Sequence, residues 1–169
     1  SECTICTAGY ACALTTSSVE VACVTGTYSL GGQSECTECP VGYRCDVDGA
    51  AIEACESGSY AVAGAGVCTS CPAGSACPTT TSAVVNACAA GTYAVGGAAS
   101  CTVCPAGYAC ADTTSSTKTP CAAGTYSTGG SDVCTPCPAG FACSSVEVDP
   151  STQCSTGYYS LEGDGVCTE

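Results

Sequence analysis

Cys101-Thr102-Val103-Cys104-Pro105-Ala106-Gly107-Tyr108-Ala109-Cys110, followed after ten intervening residues by Cys121-Ala122-Ala123-Gly124-Thr125-Tyr126-Ser127, is the stretch whose reading decides the fold. Its spacing recurs along the whole chain. Cys-x-x-Cys pairs stand at Cys3/Cys6, Cys36/Cys39, Cys68/Cys71, Cys101/Cys104 and Cys134/Cys137, and Cys167 falls where a sixth pair would open. The intervals are 33, 32, 33, 33 and 33 residues. Self-similarity at a fixed period of this length is the signature of a repeat architecture. The spacing therefore predicts a small disulfide-rich fold, an elongated rod of five tandem repeats with short β-hairpins and loops and little or no helix. The repeats run 1–35, 36–67, 68–100, 101–133 and 134–166, with 167–169 starting a sixth.

Other residues repeat in register with the cysteines. Gly9, Gly42, Gly74, Gly107 and Gly140 follow each pair; Gly26, Gly58, Gly91, Gly124 and Gly157 lie three residues after each fourth cysteine. Tyr28, Tyr60, Tyr93, Tyr126 and Tyr159 come two residues later, and Gly32, Gly64, Gly97, Gly130 and Gly163 share one turn position, where a positive φ or a close backbone approach is expected. The segment from the fourth cysteine to the next pair reads as a hairpin, a Tyr-centred strand running into a glycine turn and back.

Composition explains why cross-links must hold such a chain. Leu, Ile, Val and Phe together number 21 of 169 residues, and Met and Trp are absent, so no sizeable apolar core can form. Twenty-one cysteines exceed a tenth of the chain, a density that marks a disulfide scaffold and an oxidising, extracellular or cell-surface setting. The net charge is −13, with Arg44 and Lys118 the only basic side chains, which disfavours nucleic acid and direct insertion into or binding to a membrane. No apolar run reaches the length of a membrane span. The opening Ser1-Glu2-Cys3 has neither an initiator methionine nor a signal peptide, which suggests a processed chain or part of a longer one.

At Cys-Thr-x-Cys-Pro-Ala-Gly-Tyr-x-Cys followed by Cys-x-x-Gly-Thr-Tyr-Ser, the chain resembles the ephrin-receptor-like cysteine-rich repeat, a relative of the tumour-necrosis-factor-receptor-like and EGF-like modules. The resemblance spans the whole length, with departures at Thr7, where other units have Pro, and at Ser75, at the aromatic position. Such repeats occur in receptor ectodomains and in extracellular surface or filament proteins. Connectivity does not follow from sequence alone. The resemblance, together with the odd cysteine count, implies Cys23–Cys36, Cys55–Cys68, Cys88–Cys101, Cys121–Cys134 and Cys154–Cys167 across the hairpins, and Cys6–Cys12, Cys39–Cys45, Cys71–Cys77, Cys104–Cys110 and Cys137–Cys143 in the short loops. Cys3 is then left for a preceding unit or a neighbouring subunit. The alternative, first to third and second to fourth within each unit, leaves Cys167 over instead. By loop entropy a hairpin-sized link contributes about 3 kcal/mol and a short one about 2 kcal/mol, so ten links can stand in for the missing core.

Candidate sites are few. The Cys-x-x-Cys pairs offer thiolates for zinc or for redox chemistry, but five equivalent copies without any histidine read as structural. Asp46-Val47-Asp48-Gly49 and Glu162-Gly163-Asp164-Gly165 lack the ligand ladder of a calcium loop and read as solvated turns. Without histidine and with two basic residues, an enzyme is not expected, nor is a cofactor other than covalent glycan. The variable region between the third and fourth cysteines is polar and reads as surface loop. There Thr15, Thr16, Ser17, Ser18, Thr79, Thr80, Thr81, Thr113, Thr114, Ser115, Ser116 and Thr117 are candidate O-glycan acceptors or plain solvated hydroxyls. Asn86 in Asn86-Ala87-Cys88 is a variant N-glycosylation acceptor. The repeated tyrosine reads as the packing residue of each hairpin in preference to a ligand platform.

Two functions remain. One is a structural subunit of an extracellular glycoprotein filament or surface coat, with the chain itself as partner in a head-to-tail homopolymer. The other is the stalk or ligand-binding ectodomain of a receptor or adhesion protein, with a protein ligand; the scarcity of Trp and Arg speaks against a dedicated ligand face.

Overall fold

A computed structural model describes residues 5–13, 19–79, 82–144 and 152–169. Among these residues there is no helix. Nine antiparallel pairs of two-residue strands, and one bridge between Tyr159 and Thr168, make up the regular structure.

Two kinds of hairpin alternate. The expected Gly-x-Tyr hairpin pairs Thr27–Tyr28 with Thr37–Glu38, Ser59–Tyr60 with Thr69–Ser70, Thr92–Tyr93 with Thr102–Val103 and Thr125–Tyr126 with Thr135–Pro136. The other brackets the variable polar region, pairing Tyr10–Ala11 with Val21–Ala22, Tyr43–Arg44 with Glu53–Ala54, Ser75–Ala76 with Asn86–Ala87, Tyr108–Ala109 with Thr119–Pro120 and Phe141–Ala142 with Thr152–Gln153. That region, expected as surface loop, ends in strand: its last two residues before the fourth cysteine are paired. Alternating polarity is absent from a strand of two residues, so no pattern in the sequence announces it.

The two hairpins are built alike. Each opens with a four-residue turn closed by a backbone bond, Tyr10 N–H to the Thr7 carbonyl (3.1 Å) in one and Thr27 N–H to the Val24 carbonyl (2.9 Å) in the other. The third turn residue is glycine with φ of 86° at Gly9 and 87° at Gly26, the left-handed region that a type II turn requires there. Both halves then read Cys-x-x-Gly-x-x and a sixth residue that is small. In the first half this residue is Cys12, Cys45, Cys77, Cys110 or Cys143; in the second it is Ser29, Ala61, Ala94, Ser127 or Ser160. All but the half-buried Cys12 are buried, Ser29 completely. The structural period is thus sixteen or seventeen residues, half the sequence repeat.

That alternation accounts for the disulfides. Where the sixth residue is cysteine, it bonds the cysteine that opens the turn, in Cys6–Cys12, Cys39–Cys45, Cys71–Cys77, Cys104–Cys110 and Cys137–Cys143. Where it is Ser or Ala, the opening cysteine reaches across its hairpin, in Cys23–Cys36, Cys55–Cys68, Cys88–Cys101, Cys121–Cys134 and Cys154–Cys167. These are the partners that the family resemblance implies. Cys3 lies outside the described residues.

By compactness the chain divides into two units that share the third repeat: Ser1–Cys71, Cys77–Val85 and Gly97–Ala99 form the first, and Pro72–Ala76, Asn86–Gly96 and Ser100–Glu169 the second. In the first, each turn glycine donates to the small buried position of the next half-repeat: Gly9 to Ser29 (2.8 Å), Gly26 to Cys45 (3.1 Å), Gly42 to Ala61 (2.9 Å) and Gly58 to Cys77 (3.3 Å). The glycine carbonyls accept in turn from the next opening cysteine, as Gly9 does from Cys23 N–H (2.8 Å) and Gly26 from Cys39 N–H (2.9 Å).

Within the second unit the same rule holds, from Gly74 to Ala94 (2.8 Å), Gly91 to Cys110 (3.3 Å), Gly107 to Ser127 (2.8 Å), Gly124 to Cys143 (2.9 Å) and Gly140 to Ser160 (3.1 Å). In both units the interior is mostly sulfur, with Cys39, Cys45, Cys71, Cys77, Cys104, Cys110, Cys137 and Cys143 fully buried. Two-residue strands are far too short to stand by themselves. Covalent links and a hydrogen bond from every half-repeat to the next hold them instead.

Candidate functional site

All twenty described cysteines are in disulfides, and the two members of each Cys-x-x-Cys pair bond different partners. No described thiolate is left for a metal or for exchange. One group, Cys6, Cys12 and Glu20, brings three ligand-type atoms together, but its sulfurs are bonded to each other. Glu20 is engaged otherwise, accepting from Thr7 N–H (2.8 Å) and the Thr7 hydroxyl (2.9 Å).

The acidic turns are likewise occupied by the protein's own groups. Asp48 Oδ1 accepts from Ala50 N–H (3.3 Å), and Asp164 accepts from Leu161 N–H (2.7 Å). Asp46 pairs with Arg44 (3.5 Å), which also pairs with Glu53 across the hairpin. These pairs are exposed and contribute little to stability. The second cation, Lys118, sits between the rings of Tyr93 (5.4 Å) and Tyr108 (5.5 Å), a cation–π arrangement that no spacing argument could have found.

Of the candidate glycan acceptors, Thr79, Thr114, Ser116, Thr117 and Asn86 are exposed, while Thr113 and Ser115 are half-buried. Thr15, Thr16, Ser17, Ser18, Thr80 and Thr81 lie outside the described residues. Asn86 belongs to a strand, paired with Ala76, and its neighbour Cys88 is bonded to Cys101.

The stretch Asp112–Thr117 is a folded loop. Asp112 Oδ1 accepts from the Thr114 hydroxyl (2.6 Å) and from Thr114 N–H (2.8 Å), while Ser115 Oγ accepts from Thr117 N–H (3.1 Å). The hydrogen bonds from Thr114 and Ser115 hold the Asp112 carboxyl below its ordinary value of 3.8. The loop also touches the rest of its unit: a β-carbon on Gly74 would strike the Thr113 carbonyl.

The repeated tyrosines Tyr28, Tyr60, Tyr93 and Tyr126 are half-buried, whereas Tyr159 is 56% exposed. Opposite them on the paired strand stand Thr37, Thr69, Thr102, Thr135 and Thr168, every one exposed. These threonines are functional candidates that composition and cysteine spacing do not single out. Their signal is the threonine that follows the first cysteine of each unit.

The fold and these surfaces define a disulfide-rich tandem-repeat protein of paired strands, with a cross-link density that belongs to an oxidising environment. Among the described residues no helix is long and apolar enough to cross a membrane. The chain matches no known protein family and no curated protein.

Proposed function

We propose that this chain is a structural subunit of an extracellular glycoprotein filament or surface coat, assembled end to end through its repeats. The observation that carries this reading is the contact between successive half-repeats. The turn glycines from Gly9 to Gly140 donate their N–H to the next half-repeat on the same backbone face, and at Gly26, Gly58, Gly91 and Gly124 the bare α-carbon meets a glycine turn one full repeat on. A face repeated head to tail is heterologous, and heterologous contacts extend without self-limitation when their rotation does not close. The last half-repeat presents the same turn at Gly157, whose α-carbon has no neighbour within 4 Å of an added β-carbon among the described residues. Kinship with ephrin-receptor-like and tumour-necrosis-factor-receptor-like modules is supported by the pairing of second to third cysteine and of fourth to the next first.

Electron microscopy and light scattering of native or concentrated protein test the reading. Polymers that lengthen with concentration are expected; material that stays monomeric at every concentration overturns it. A binding ectodomain is the second reading. What favours it are apolar side chains held out in solvent at one repeat position, Leu30 (66% exposed) and Val62 (58%) in the first unit and Val95 (58%) and Leu161 (65%) in the second, with Thr128 the polar exception. A soluble protein ligand captured by the monomer, and lost when these residues become serine, would select that reading.

A further inference from the structure

We infer that Thr37, Thr69, Thr102, Thr135 and Thr168 form a periodic set of O-glycan acceptors, one opposite each Gly-x-Tyr tyrosine, distinct from the hydroxyl-rich loops. The chain contains its own control for this assignment. The strand position in the first half-repeat with the same register, opposite residues 11, 44, 76, 109 and 142, holds Val21, Glu53, Asn86, Thr119 and Thr152. Four different residue types serve there. In the second half-repeat the same backbone position holds threonine five times out of five. Strand propensity acts on both halves alike and cannot separate them.

The tyrosine opposite gives part of the reason, because aromatic and β-branched residues make favourable cross-strand pairs. Valine would satisfy that demand equally, and this chain tolerates valine at exposed positions, Val21 (58% exposed) and Val103 (63%) among them. What threonine adds is the hydroxyl. Elsewhere such hydroxyls have internal work: those of Thr27, Ser59, Thr92 and Thr125 donate to the carbonyl three residues back at 2.6–2.7 Å. At these exposed positions Thr37 Oγ1 accepts one long bond from Gln33 Nε2 (3.4 Å), and among the described residues no carbonyl accepts from the hydroxyls of the others.

The modification that fits is a neutral sugar. The net charge is −13, Arg44 is paired with Asp46 and Glu53, and Lys118 lies between two rings, so an added phosphate would find no free cation among the described residues. A sugar on the threonine oxygen lies beside the tyrosine of the opposite strand, half-buried in all but Tyr159, whose ring can take the apolar face of a pyranose. In the transfer, the Thr Oγ attacks the anomeric carbon of a nucleoside-diphosphate sugar. The new C–O bond forms as the bond to the diphosphate breaks, the nucleoside diphosphate leaves with that electron pair, and the hydroxyl proton passes to the base of the transferase. This inference rests on the extracellular reading above but not on polymer formation.

Peptide mapping of the native secreted protein by mass spectrometry, after reduction and alkylation, tests it. Monosaccharide increments are expected on Thr37, Thr69, Thr102, Thr135 and Thr168. Expressed in the cells that make the protein, Thr102→Val should lose one increment and Thr102→Ser should keep it, with the other sites unchanged. Bare strand threonines in protein whose disulfides are formed overturn the inference, as does a Thr102→Val protein of undiminished glycan mass. Sugar confined to Thr113–Thr117 overturns it while leaving the filament reading standing, and monomeric protein carrying the strand sugars does the reverse.

Discussion

Gly26 packs its bare α-carbon against the carbonyl of Gly64, so closely that a β-carbon would come within 3.0 Å of the oxygen. One residue belongs to a turn just after a fourth cysteine, the other to the glycine turn of the following repeat. Gly58 meets Gly97 in the same way within the first unit, and Gly91 meets Gly130 and Gly124 meets Gly163 within the second. Two glycines that look like independent turn residues in the sequence are the two sides of one contact. Each also has a positive φ, 87° at Gly26 and 73° at Gly64.

Alanine at Gly91 should therefore be costly for two reasons. The left-handed backbone costs a side chain about 1 to 2 kcal/mol, and forcing a methyl into a filled contact costs about 1 to 3 kcal/mol more. Gly157 has φ of 95° but, among the described residues, no neighbour within 4 Å of a β-carbon, so Gly157→Ala should show the backbone cost alone. Denaturant titration with disulfides intact measures both, and equal midpoints for the two variants would refute the contact.

Complete reduction should abolish the structure. With a mostly cysteine interior and strands of two residues, nothing else gives the fold its free energy, and each link lost returns about 2 to 3 kcal/mol of loop entropy to the unfolded chain. Amide hydrogen exchange of reduced, alkylated protein should approach the rate of an unstructured peptide. Slow exchange surviving at Cys104 or Cys137, which donate to Gly91 and Gly124, would show that hydrogen bonds suffice.

Much of this was legible in the sequence. Cysteine spacing alone located the repeats, and Gly-x-Tyr located one hairpin, because a recurring glycine and a recurring aromatic are both tied to specific backbone demands. The halving of the period was not legible. It depends on seeing Ser29 or Ala61 as the equivalent of Cys12, and a buried serine or alanine leaves no mark that separates it from a surface one. Lys118 between two tyrosines was hidden for a different reason: the residues are brought together by the stacking of hairpins, not by spacing. The repeated threonine was in plain view, but only the register, Thr37 opposite Tyr28 and Val21 opposite Ala11, shows that its first-half counterpart is unrestricted.

The equivalence of the two halves can be tested by rewriting one as the other. Ser127 lies six residues after Cys121, as Cys110 lies six after Cys104, and Ser127 is 2% exposed. In the double variant Ser127→Cys, Cys134→Ser, the thiol of Cys121 should bond the cysteine introduced six residues downstream and form the short link of a first half. The smaller loop gives up less than about 1 kcal/mol of chain entropy. Non-reducing peptide mapping identifies the bond, and a free thiol at either position would show that the halves differ in backbone.

Asp112 connects the loop chemistry to pH. Hydrogen bonds from the side chain and backbone of Thr114, and then from Ser115, favour its charged form and lower its pKa from 3.8. A carboxyl with a folded value below the unfolded one adds stability that is present above the unfolded value and is lost as pH falls through the lower folded value. A carboxyl chemical-shift titration should place Asp112 below 3.8, and Thr114→Val should move it back up. A sugar on Thr114 would have the same effect, because the glycosidic oxygen no longer carries the proton that the hydroxyl donates to Oδ1 at 2.6 Å. Native protein titrating like the valine variant would thus place a glycan on Thr114, and native protein titrating lower would show that hydroxyl free.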